Sequence, residues 1–217
     1  MPPAPGDHDA RRRDVSEAVW RVLAARGFGQ LTLRAVAAEM GASTGMLTHY
    51  FPAKRDLVRY AHSVAEERTL AALYGDLDVT GLAALWKYLL DVLPLTPESV
   101  AMNRVWVSFW DAAIGDEELA ATETARYERW RGKLRPHVLA AVDKGEIPAD
   151  KEVDDVVASA AALTHGLVVQ SLFDPARFPP DRQIQLIDDY LRTLTCPSAT
   201  GSTRFPAARQ ASDTPTP

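Results

Sequence analysis

Two short apolar stripes on either side of Gly41 set what this chain can become. Residues 32–54 read TLRAVAAEMGASTGMLTHYFPAK. Val36, Ala37 and Met40 make one face of a first short helix. Met46, Leu47 and the Tyr50–Phe51 pair anchor a second. Gly41 stands where the first helix must stop, because a left-handed backbone costs glycine nothing. Ser43 follows at the position of an N-cap, with a hydroxyl suited to accept a backbone N–H of the next turn. A glycine-terminated helix, a tight turn and a capped second helix describe a helix-turn-helix over 32–51. Its second helix is shaped for the major groove of DNA. The competing reading is an ordinary corner between two helices of a core.

The chemistry between the anchors separates the two readings. Thr44, Gly45, Thr48 and His49 are short or hydrogen-bonding residues, not the Glu/Lys mixture of a solvated face. Lys54 and Arg55 open the next helix, where a phosphate backbone would run. Thr44, Thr48 and His49 are expected to face bases. Thr32, Tyr50 and Lys54 are expected to hold phosphates, and Arg34 and Ser43 complete the DNA-facing set. Gly45 would allow close approach.

In residue order this stretch resembles the TetR family of bacterial one-component transcriptional regulators. The resemblance runs through Gly27-Phe28, Thr32, Val36-Ala37, Gly41-Ala42-Ser43, Gly45, Leu47, Tyr50-Phe51, Lys54 and Leu57, over residues 10 to 60. One departure stands out: the family usually carries Tyr directly after the Leu of the second helix, and this chain has Thr48. Operator sequence therefore does not carry over.

Charge is divided in the same way. The chain has 217 residues and a net charge of −5. Residues 1–60 hold nine Lys/Arg against six Asp/Glu, and residues 61–217 hold fifteen against twenty-three. A positive head on an acidic body suits a two-part molecule with one nucleic-acid face. No apolar run is read as the roughly 20 residues of a membrane span. MPPAPGDHDARRR places no apolar segment after its charges, so it does not read as a secretory leader. One cysteine, Cys196, excludes an internal disulfide and any multi-cysteine metal site. A cytoplasmic protein is expected, with no membrane partner.

Along the chain, residues 1–9 are expected to form a disordered arm and Asp14 to Arg26 a helix. Arg11-Arg12-Arg13 either reaches DNA or is a solvated helix start. Trp20 is expected to pack on a neighbouring helix. A long helix is expected from Ala53 to Tyr74, with His62 and Glu66 on a solvated face. Helices over 81–93, 98–114, 117–144, 153–173 and 181–195 follow, punctuated by Pro94, Pro97, Gly115, Gly145 and the prolines at 175, 179 and 180. Period-2 alternation is absent, so the fold class is all-α. A DNA-binding domain over 10–60 precedes a ligand-binding and dimerisation domain over 61–196. A disordered tail is expected over 197–217.

The second domain concentrates aromatic rings. Trp106 and Trp110 are four apart, with Phe109 beside them, and Tyr127 and Trp130 are three apart on the next helix. With Trp86 and His165 they are candidates to line a small-molecule pocket, and the alternative is that they fill a large core. The TetR resemblance implies an effector held between the helices. The segment 165–191 looks like the subgroup around the choline-responsive regulator of betaine synthesis. Aromatic faces can hold a cation, with Asp111 as countercharge, so the effector is aromatic or cationic on this reading. Small residues at Ala158, Ala161, Ala162 and Gly166, with Leu172, Ile184, Ile187 and Leu191, suggest a homodimer through helices 153–173 and 181–195.

No enzyme signature is present. The chain lacks a glycine-rich phosphate loop, paired cysteines and a His–Glu–x–x–His arrangement, and no cofactor or metal is called for. Cys196 reads as a bystander. The remaining alternative is a helical ligand-binding or scaffolding protein that has lost DNA binding.

Overall fold

The computed structural model describes residues 5–73 and 79–195. Every element in them is helical. The tail over 197–217, Cys196 and the expected helix end at Tyr74 lie outside the described residues.

Among the described residues the nine α-helices are α1 Pro5–Arg26, α2 Leu33–Met40, α3 Thr44–Tyr50, α4 Lys54–Leu73, α5 Leu82–Val92, α6 Pro97–Ile114, α7 Glu117–Asp143, α8 Val153–Phe173 and α9 Pro180–Thr195. Their ends follow the punctuation. Thr96 caps α6 in a reciprocal box with Ser99 and Pro97 follows at the first turn, while Asp116 accepts from two backbone N–H groups at the start of α7. One expectation fails at the N-terminus, where residues 5–9 are the first turns of α1 and not an arm.

Two apolar cores share the molecule. The first gathers Val15, Val19 and Leu23 of α1, Val36 and Leu47 of the helix-turn-helix, and Leu57 and Ala61 of α4. Val105, Trp106 and Phe109 of α6 close it from the other side. The second core lies between α5, α7, α8 and α9, around Leu89, Leu134, Val168 and Ile187. The head is therefore seated on α6. Phe28 N donates to Ser108 Oγ at 3.1 Å, and the Phe28 and Phe109 rings lie 4.9 Å apart. Trp20 packs on this core as expected, and the Arg68 guanidinium covers its ring at 4.9 Å.

Helix α8 corrects the membrane reading. It is 21 residues long and apolar enough to cross a bilayer by length and composition. Val156, Val157, Ala160, Leu167 and Val168 lie inside the bundle, which accounts for an apolar helix at the centre of a helical core. Ala161 is also buried within the chain. Ala158 and Ala162 are exposed and Gly166 and Val169 half-buried, while Phe173, 80% exposed, ends the same side of α8. Ile187 and Leu191 of α9, expected at a dimer contact, instead fill the second core against α5.

Candidate DNA-reading head and ligand cavity

The helix-turn-helix forms where the residues place it. Thr32 caps α2 through its Oγ1, which accepts from Ala35 N at 3.1 Å. Gly41 ends α2 at φ 63°, ψ 29°, and its N–H and that of Ala42 close the last turn. Ser43 occupies the cap position of α3, but its hydroxyl makes no cap bond. Leu47 is buried and fixes the roll of α3. Ser43, Thr44, Gly45, Thr48 and His49 consequently stand exposed together, with Tyr50 half-buried at the end. Thr48 Oγ1 donates to Thr44 O at 2.8 Å, which engages its hydroxyl proton within the helix. Arg34 and Lys54 are exposed on the flanks. Of the nine residues named for this face, eight are exposed and Tyr50 is half-buried.

Gly45 has no internal reason to be glycine. Its φ is not positive, and an added Cβ would meet only Ser43 Oγ, at 3.9 Å.

The other candidates divide. A cavity of about 500 Å³ opens between α4, α5, α6, α7 and α8. Trp106, Trp110, Trp130 and His165 line it, with Leu90, Leu93, Leu95 and Met102 supplying apolar wall. Asn103, also in the wall, donates to Val92 O and Ser99 O and ties α6 to the end of α5. Tyr127 stands behind, its ring 4.8 Å from that of His165. Phe109 is elsewhere: its position on α6 turns it toward Phe28 and His62 in the first core. Trp86 is also elsewhere, on the far side of α5, where its Nε1 donates to Asp188 of α9 at 2.5 Å. Asp111 is exposed and not part of the wall, so it gives the cavity no countercharge.

His165 is boxed by Trp110, Tyr127 and Trp130, with ring centroids 5.3, 4.8 and 4.8 Å away. Burial, helped by the nearby Arg126 charge, pushes its pKa down to about 4. The imidazole is neutral at pH 7. Arg126 lies between two rings, 4.2 Å over Trp106 and 4.7 Å from Tyr127.

The residues that spacing missed are His62 and Glu123. His62 is buried, contrary to a solvated face, and its Nε2 lies 2.9 Å from Glu123 Oε1. Glu123 Oε2 accepts from Arg126 Nε at 2.9 Å. Burial alone would raise the Glu123 pKa. The His62 and Arg126 bonds outweigh it and hold the carboxyl below its usual range. An ionised carboxylate only accepts, so His62 Nε2 is the donor. Glu66, four residues on, is bound instead to Arg129 at 2.5 Å. Both contacts join α4, which leaves the head, to α7.

The head and body together match known families. A profile described as "Bacterial regulatory proteins, tetR family" covers residues 16–61. Another, "BetI-type transcriptional repressor, C-terminal", covers residues 82–195, more than half the chain. The chain belongs to the TetR family. It is a DNA-binding transcriptional regulator, with a helix-turn-helix head and a BetI-type C-terminal domain.

Relatives extend over nearly its full length. The HTH-type transcriptional regulator PksA of Bacillus subtilis (strain 168) is 27% identical over 192 residues, covering 87% of this chain and 91% of that one. The regulator BetI of Rhizobium meliloti (strain 1021) is 25% identical, covering 95% and 99%. Among solved structures, a putative transcriptional regulator from Saccharomonospora viridis, in complex with choline, superposes with a TM-score of 0.74 at 22% identity, covering 85% of this chain and 96% of that one. That likeness shows the TetR-family fold.

Proposed function

We propose that the protein is a homodimeric repressor whose grip on a two-fold symmetric operator is released when a small molecule fills the cavity beneath the head. The observation that carries this reading is the buried bond between His62 of α4 and Glu123 of α7. Through Glu123 it reaches Arg126, which forms part of the cavity wall. A ligand that moves Arg126 disturbs a bond that holds α4, and α4 begins at Lys54, directly after the reading helix. Two packed arrangements of this contact would be two settings of the head.

On this reading Thr44, Thr48 and His49 face bases, while Thr32, Arg34, Ser43, Tyr50 and Lys54 position the head on phosphates. Gly45 admits the backbone of the duplex. Two copies join through the small-residue side of α8, with Ala158, Ala162 and Gly166 allowing close approach and α9 flanking it. A relative in fold is in complex with choline, which makes choline a first compound to try.

The test uses the tryptophans of the cavity wall. A ligand that enters should change tryptophan fluorescence and, over the same concentrations, release the duplex taken from beside the protein's own gene. A compound that shifts the fluorescence by binding the cavity and leaves the complex with DNA intact would refute the coupling.

A further inference from the structure

Three hydrogen-bond donors lie buried in the side chains that line the cavity. Trp110 Nε1, Trp130 Nε1 and Arg126 Nη2 are buried, and no acceptor among the described residues reaches them. All three belong to residues of the wall. Such groups are costly in a protein interior and are met by whatever acceptor the site is built to hold. The wall also carries acids, but two of them are engaged. Glu66 is bound by Arg129 at 2.5 Å, and Asp91 by Lys87 at 2.9 Å. Glu98 stands exposed at the start of α6, where it bonds with Thr96.

The Trp106 ring in the wall already has a protein cation over it. The Arg126 guanidinium already lies over Trp106 and beside Tyr127. An incoming quaternary ammonium would meet a fixed like charge, and it has no acceptor to give the three N–H groups. His165, held neutral by burial, adds no charge. Leu90, Leu93, Leu95 and Met102 supply the apolar remainder.

We propose that the cavity selects an amphipathic carboxylate: an apolar body against the leucines and Met102, and a carboxylate received by Arg126 Nη2 and the indole N–H groups of Trp110 and Trp130. This rests on the reading of the cavity as the effector site. A carboxylate supplies several acceptor lone pairs and a charge opposite to that of Arg126, which a quaternary ammonium cannot. The ligand would compete with Glu123 for the same guanidinium, and so would act on the contact that holds His62.

Octanoate, octanol and octyltrimethylammonium share one tail and differ in head charge. They are titrated below their aggregation concentrations, together with choline, into the full-length protein and followed by tryptophan fluorescence and calorimetry. Octanoate should bind about tenfold or more tighter than octyltrimethylammonium. Arg126→Gln should abolish that preference. Because Arg126 also holds Glu123, Trp110→Phe serves as a second variant: it keeps an aromatic ring, removes one N–H with the pyrrole half of the indole, and should weaken octanoate several-fold more than it weakens octyltrimethylammonium. Equal binding of all heads, or tighter binding of choline or the octyl cation, would overturn the carboxylate assignment and leave the effector cavity standing. Binding of none of the four by a folded protein would count against both.

Discussion

His62 and Glu123 meet at 2.9 Å in the interior, 61 positions apart in the chain, and bind the helix that leaves the DNA-reading head to the helix that walls the cavity. Glu123 also holds Arg126, so one buried carboxylate neutralises one fixed cation and accepts from a histidine. Removing it would strand both. Glu123→Ala should destabilise the protein by about 3–5 kcal/mol, measured by urea denaturation. Glu123→Gln, which keeps a hydrogen-bond acceptor but loses the charge, should cost less and should weaken the response of DNA binding to ligand. Equal stability of Glu123→Ala and wild type would contradict the burial of this contact.

The neutral His165 gives the fold a pH dependence. Its pKa falls from the ordinary value near 6.5 to about 4. The unfolded chain therefore binds more protons between these values, and stability rises with pH across that window. The contribution is complete above about pH 6.5 and is lost below about pH 4, for a difference of roughly 3 kcal/mol. His165→Gln should flatten the urea midpoint between pH 4.5 and 6.5 relative to wild type. An unchanged slope would mean that His165 is not the group responsible.

Two glycines in the head should respond in opposite ways. Gly41 sits at φ 63°, where an added Cβ meets no neighbour, so Gly41→Ala carries only the backbone cost of about 1 kcal/mol. Gly45 has ordinary helical backbone, so Gly45→Ala should raise stability by roughly 0.5–1 kcal/mol. The same change should weaken DNA binding, because the methyl stands on the exposed face beside Thr44 and Thr48. Thermal denaturation and fluorescence anisotropy on the same sample check both halves. Tighter DNA binding by the alanine variant would remove Gly45 from the interface.

Positioning and reading contacts separate by salt and by sequence. Lys54→Ala should weaken binding to every duplex alike and lower the salt slope by about one unit. Thr48→Ala should instead change which operator is preferred. Uniform weakening by both variants would erase the division.

The exposed side of α8 should hold two copies together. Ala162→Arg places a long cation beside Ala158 and Gly166, where an added Cβ on Gly166 would meet none of the described residues within 4 Å. Light scattering should then show a monomer with an unaltered circular dichroism spectrum. A dimer surviving this change would move the interface elsewhere.

Helix boundaries were legible because they are local. Gly41, Thr96, Pro97, Gly115 and Gly145 act within a turn of themselves, and the helices expected over 98–114 and 153–173 appear as 97–114 and 153–173. Tertiary partners were not legible in the same way. His62 looked solvated because its neighbours at four-residue spacing are Val58 and Glu66, and nothing local points to a carboxylate on α7. Ring spacing did suggest that Trp106 and Trp110 share a face, and both reach the cavity. The same rule cannot say which side of α5 carries Trp86, or that Phe109 turns to the head. Those depend on how whole helices roll against one another. The unpartnered donors of the wall were invisible for the same reason.

The central claim is that the exposed face of α3 reads DNA as one half of a two-protomer unit, and that the cavity governs it. The most direct measurement is selection from sheared genomic DNA by the purified protein, followed by anisotropy titration of the recovered fragments at two salt concentrations, with and without the cavity ligand. The account predicts fragments with two-fold symmetric half-sites spaced by a helical turn or a multiple of it. Two protomers should bind each site with strong salt dependence, and ligand should lower the affinity. Binding of a single protomer to asymmetric DNA, or affinity untouched by a ligand that fills the cavity, would contradict it.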